Sequence, residues 1–201
     1  MNMYKKSIML AAALALTPQL ANADTVLGLY VGGQYWDTDA SGEYGVGSEV
    51  FPPGLEDKGQ NSYYAALEHP IPLIPNVKIR ENSLEFDGGY GRNDFSHRDY
   101  IFYYEFFDND IISFDAGINA MDFDGTVRTP VSTTFGRQDF SVTVPTGYLA
   151  TRVGIPMTDL TLFAEVSALS VKDSKVQDAQ IGIEYRLVEN LAIDFNLHAG
   201  Y

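Results

Sequence analysis

Apolar and polar residues alternate along most of this chain, most plainly in its closing run. From Leu191 to Tyr201 every odd position is apolar, and Asp194, Asn196, His198 and Gly200 hold even positions between them. A period of two is the signature of a strand with unlike faces. The run is about as long as a tilted strand needs to cross a bilayer. It ends on an aromatic residue, as bacterial outer-membrane barrels usually do.

Earlier segments repeat the pattern. In residues 25–36, Leu27, Leu29 and Val31 oppose Gly28, Tyr30, Gly32 and Gln34. Residues 94–107 set Tyr100, Phe102, Tyr104 and Phe106 against Asp99, Ile101, Tyr103 and Glu105. Further strands are predicted at 60–69, 77–86, 111–121, 139–155, 160–170 and 179–187. A slip in the alternation between Glu81 and Leu84 predicts a bulge. Pro145, Thr146 and Gly147 predict a break in 139–155.

The connections fall into two kinds. Those at 70–76, 108–110, 156–159 and 188–190 are short. The alternate ones, 37–59, 87–93, 122–138 and 171–178, are mostly longer, more acidic and richer in glycine. Short turns at one rim and longer loops at the other characterise outer-membrane barrels. The predicted fold is therefore all-β, an antiparallel up-and-down transmembrane β-barrel of roughly 8–10 strands. A soluble up-and-down barrel, as in lipocalins, is the alternative, and its patterning puts apolar residues inward.

Composition adds export and charge to this picture. Lys5 and Lys6, the apolar stretch 8–16 and the small residues Ala21 and Ala23 read as a secretory signal over 1–23, leaving 24–201 as one barrel domain. Removing the two lysines takes the formal charge from −14 to −16. So acidic a chain does not suit nucleic acid, whose phosphates require clustered Lys and Arg, and its acidic loops are read as solvated. With no cysteine, disulfides, thiolate metal sites and cysteine nucleophiles are excluded.

If the more apolar face meets lipid, Glu68, Lys78, Arg80, Glu105, Asp115, Arg152, Glu165, Glu184, Arg186, Asp194 and His198 face the lumen. A small barrel is filled by its own side chains, so these charges are expected to pair into a structural network that plugs it. No catalytic residues are expected. Ser96 and His97, like Glu68 and His69, are adjacent and would point to opposite faces. Asp194 and His198 stand roughly 13 Å apart along one strand. No cofactor or metal is expected, although Asp37 with Asp39, and Asp122 with Asp124, could offer oxygens to calcium. Trp36, Tyr35 and Tyr44 near one rim and Tyr185 near the other are expected as interfacial anchors.

The expected role is structural or surface recognition in the cell outer membrane of a Gram-negative envelope. A monomer is expected, with outer-membrane lipid as its surroundings and the barrel assembly machinery as its partner during biogenesis. A lipid-modifying outer-membrane enzyme and a minor ion channel are the alternatives.

Several stretches carry a resemblance. They are Ala23 to Gly32, the block 63–80 (Tyr-Tyr-Ala-Ala-Leu-Glu-His-Pro-Ile-Pro-Leu-Ile-Pro-Asn-Val-Lys-Ile-Arg), Tyr103-Tyr104-Glu105 with Asp108-Asn109, and Asp122 to Gly125. Together they make the chain similar to a family of small proteobacterial outer-membrane β-barrels with no established activity. The resemblance implies fold and location, not chemistry. It also implies a further hairpin loop and strand past Tyr201. That bears on a difficulty of parity: the pattern gives roughly nine strands, whereas bacterial single-chain barrels have even numbers. A missing strand, a false strand and an irregular closure are three readings of the odd count.

Overall fold

The computed structural model describes residues 27–38, 44–46, 49–51, 58–88, 91–109, 111–131, 134–171, 174–189 and 193–200. The expected signal at 1–23 lies outside them, as do the side chains of Tyr44 and Asp194. The elements are all strands. They are β1 (Gly28–Thr38), β2 (Tyr44–Val46), β3 (Glu49–Phe51), β4 (Lys58–Glu68), β5 (Asn76–Asn82), β6 (Glu85–Gly88) and β7 (Gly91–Asp94). There follow β8 (His97–Asp108), β9 (Ile112–Val131), β10 (Thr134–Gly154), β11 (Leu160–Val171), β12 (Ser174–Glu189) and β13 (Ile193–Gly200).

Nine of these strands close into a barrel. Around it run β1, β4, β5, β8, β9, β10, β11, β12 and β13, which returns to β1. Each pair from β1–β4 to β12–β13 is antiparallel. Only the closing pair is parallel, from Leu29↔Ile193 to Trp36↔Gly200. Direction reverses at each hairpin, so the first and ninth strands of such a series must run the same way. The odd count is thus met by an irregular closure, and the sheet is mixed rather than purely antiparallel.

The long-loop rim departs from expectation in three places. The stretch 122–138, expected as a polar loop, continues β9 and β10 into a hairpin paired from Ile112↔Val153 to Val131↔Thr134. Its Thr126 and Val127 are β-branched and suit a pleated ladder. Within that hairpin the Thr126 hydroxyl and the Arg137 guanidinium donate to Asp139, holding its carboxyl below the usual range. Pro145 does not break β10. It pairs with Ala120, and the β10–β11 ladder begins only at Gly147↔Ala168, so the missing N–H falls where β10 has lost its second neighbour. Finally, the slip between Glu81 and Leu84 is no bulge in one strand. Here β5 ends, Ser83 donates its N–H to Asn61, and the chain enters the small hairpin β6–β7. Gly91 (φ 116°) opens β7 in a conformation that only glycine adopts freely.

Register shifts occur instead at Glu105/Phe107 and Arg186/Val188. The first leaves Phe106 and Phe107 both exposed on the outer wall. At the opposite rim the short turns are stiff. Leu73 (φ 69°) and Met157 (φ 67°) each follow a proline and hold a left-handed backbone, with side chains projecting outward.

The two faces of the wall differ throughout. Inward positions include buried Gln34, Ser62, Lys78, Arg80, Asn82, Asp99, Asp115, Asn119, Glu165 and Asn196, while outward ones include exposed Leu29, Leu67, Ile79, Phe102, Phe114, Ile118, Leu149, Leu162, Ile181 and Leu197. Gly32 lets the Tyr64 ring lie flat across the inner face of β1, where any Cβ would collide with it.

Candidate functional site

The lumen holds three layers along its axis. The lowest is a cavity of about 170 Å³ near the short turns, lined by Glu68, Glu105, Asp108, Asp115, Glu184 and Arg186 together with Tyr30, Tyr64 and Tyr103. The Tyr103 hydroxyl donates to Glu68 at 2.6 Å.

Above it lies a waist of buried charges. Glu165 accepts from Lys78 Nζ at 2.7 Å, Arg80 Nη1 at 3.1 Å and Arg152 Nη2 at 3.2 Å. Arg152 also binds Asp115 at 2.9 Å. Arg80 reaches Asp99 at 2.7 Å, Asp178 at 3.1 Å and the Gln180 amide oxygen at 3.0 Å. Asn119 and Asn82 donate to the two oxygens of Asp99 at 2.9 and 2.8 Å. Charges this deep are tolerable only when paired and hydrogen-bonded, and each of these is both. A smaller apolar cluster of Ile101, Tyr103, Tyr148 and Ala150 fills the rest of the section.

His198 anchors a side branch. Its Nε2 lies 2.6 Å from Glu184, directly across the β12–β13 ladder, and Gln34 Nε2 stands 2.7 Å from its Nδ1. Ser62 donates to Gln34 at 2.6 Å. A histidine and a carboxylate therefore meet, but they are enclosed, and among the described residues the hydroxyl in contact with the imidazole is that of Tyr64. The other histidines do different work. His69 clamps the first short turn, accepting from the Ile71 N–H at 3.2 Å, and Ser96 accepts from the Leu84 N–H rather than approaching His97.

Of the sequence-expected lumen residues, Lys78, Arg80, Asp115, Arg152 and Glu165 meet at the waist, and Glu184 and His198 pair beside it. Glu68, Glu105 and Arg186 line the lower cavity. Asp194 sits in β13 opposite Tyr30, its side chain outside the described residues. Sequence reasoning omitted Asp99, Asp178, Asn82, Asn119 and Gln180. Asp99 has the parity of Glu105, so alternation alone could have included it. Asp178 was assigned to a loop that is in fact strand β12.

The third layer is a pocket of about 410 Å³ at the long-loop end. It is lined by Trp36, Leu84, Phe86, Phe95, Met121 and Phe123, with His97, Asp37 and Asp178 among its polar groups. It shares no lining residue with the lower cavity. Trp36, expected at the membrane interface, instead lines this pocket, because its place in β1 continues the inward series Tyr30, Gly32, Gln34. Tyr35 and Tyr185 do face outward.

Donor atoms of His97, Asp99 and Asp178 lie within 4.8 Å of one another, a set a divalent cation could use. Arg80 Nη2 bridges the two carboxylates, so a guanidinium already supplies positive charge there. No protein-family model, curated protein or solved structure matches this chain.

Proposed function

We propose that this chain is a transmembrane barrel of a bacterial outer membrane, structural or recognition-based in role, with a plugged lumen and no catalytic centre. The observation carrying this reading is the inverted distribution of polarity. Lys78, Arg80, Asp99 and Glu165 are buried inside, while Phe102, Phe114, Ile118, Leu149 and Ile181 are exposed outside. Water would reverse that arrangement, and lipid rewards it.

The outer wall supports the same reading in detail. On β9 the outward residues Ile112, Phe114, Ala116, Ile118 and Ala120 carry no charge until Asp122. That stretch approaches the roughly 9–11 residues of a tilted membrane strand. Outward charges resume at one level: Glu81 and Arg98, 2.6 Å apart, and Asp122, which accepts from Thr143. Exposed Tyr104, Phe106 and Phe107 near the opposite rim suit the headgroup zone. The signal-like segment 1–23 and the resemblance of 63–80 to small outer-membrane barrels point the same way. The waist favours a plug over an open channel.

Phase partition tests the proposal. The refolded protein is expected to require detergent or lipid and to leave the aqueous phase. A monodisperse folded species in plain buffer would overturn the membrane reading. Steady single-channel conductance in a planar bilayer would overturn the plug, and lipid turnover lost on His198→Ala would overturn the non-catalytic role.

A further inference from the structure

At the waist three cations, Lys78, Arg80 and Arg152, meet four carboxylates, Asp99, Asp115, Glu165 and Asp178, while Glu184 lies against His198. His97 makes its closest contacts elsewhere, with Nδ1 3.1 Å from the Phe95 carbonyl oxygen and Nε2 3.0 Å from the Asn82 amide nitrogen, against 3.9 Å to Asp99.

One of the four carboxylates differs from the others. The side chain of Asp178 is 13% exposed, against 0–4% for Asp99, Asp115 and Glu165, and Asp178 is the one of the four that lines the upper pocket. Asp37 adds a second carboxylate to that lining. Besides His97 and Gln177, the remaining walls are aromatic or aliphatic. Rings offer their negative faces to cations as well as a dry surface to hydrocarbon. At about 410 Å³ the pocket lies in the range of small-molecule sites.

We propose that this pocket binds a small organic cation: an ammonium group directed at Asp178 and carried on an apolar or aromatic body held by Trp36, Phe86, Phe95, Met121 and Phe123. The bound ammonium gives Asp178 a cation of its own beside the Arg80 guanidinium that it shares with Asp99 and Glu165. The site belongs to the folded barrel and does not depend on which membrane holds it.

The sole tryptophan of the chain, Trp36, lines the pocket and provides the readout. The full-length folded protein in a neutral sugar-headgroup detergent is titrated with 3-phenylpropylammonium, 3-phenylpropanol and 3-phenylpropionate while Trp36 emission is followed. The ammonium is expected to give a saturable shift and to bind about tenfold tighter than the alcohol, with the carboxylate weakest, since about 1.4 kcal/mol of charge-assisted contact is a factor of ten. Asp178→Asn is expected to remove most of the ammonium preference and leave the alcohol unchanged. Phe123→Ala is expected to weaken both. Should Asp178→Asn not fold, Asp37→Asn at the lip serves instead and is expected to lower the preference about threefold, a smaller share of the same charge-assisted contact. No saturable shift, equal binding of all three probes, tighter binding of the carboxylate, or an unchanged preference in a folded carboxylate variant would each overturn the proposal.

Discussion

At the waist, Glu165 meets three cations and Arg80 three carboxylates, whereas at the upper pocket Met121, Phe123 and Trp36 stand beside a carboxylate that shares one guanidinium. Both layers are built from inward positions of the same strands. What separates them is enclosure. Around Lys78, Arg80, Asp99 and Glu165 the strands leave almost no exposure, so an unpaired charge would be untenable and the side chains pair off. Higher up the wall opens, and apolar groups stand beside a partly exposed carboxylate. Filling a lumen and furnishing it are different tasks for the same parity of residues.

Four substitutions would break or sharpen this contrast. Arg80→Ala removes the cation shared by Asp99, Glu165 and Asp178, and should cost about 3–5 kcal/mol, read as a lower urea midpoint in lipid or detergent. Adding Asp99→Asn should return part of that loss, with a coupling of about 0.5–3 kcal/mol. Additivity of the two would mean the waist is not a network. At the pocket, Phe86→Ala should cost only about 1–2 kcal/mol, less than a fully enclosed phenylalanine, because a cavity already borders its ring. A loss equal to that of Arg80→Ala would erase the distinction between the layers. The smallest effect belongs to the exposed ion pair Glu81–Arg98, which at 2.6 Å is shorter than any waist contact. Glu81→Ala should change stability by less than about 1 kcal/mol, and high salt should abolish even that. Burial rather than distance would then be the governing variable.

How much of this could be read from the chain follows from the same physics. Alternation reports which solvent a face meets, so the strands around Tyr100–Phe106 and Leu197 and the inward set Lys78, Arg80 and Glu165 were legible. Alternation does not report register. Spacing along its own strand offers His198 only the distant Asp194, whereas Glu184 reaches it from β12 because the ladder sets them side by side. A rule equating apolar with lipid also sent Trp36 to the interface, and nothing in a linear pattern distinguishes a hydrocarbon exterior from a hydrophobic pocket. The extension of β9 and β10 past Asp122 was hidden for a related reason. Beyond the apolar band both faces meet polar surroundings, and the contrast that marks a strand fades although its ladder continues.

The parallel pairing of β1 with β13 has a consequence for sidedness. A barrel with an even number of strands returns its polypeptide to the rim where it entered. Here β1 begins at Gly28 beside the short turns and β13 ends at Gly200 beside the long loops, so the nine strands make a net passage from one end of the cylinder to the other. In an envelope, the start of β1 and the end of β13 would therefore open onto different compartments. Epitopes fused before Gly28 and after Gly200 would report opposite sides of whatever layer the barrel spans.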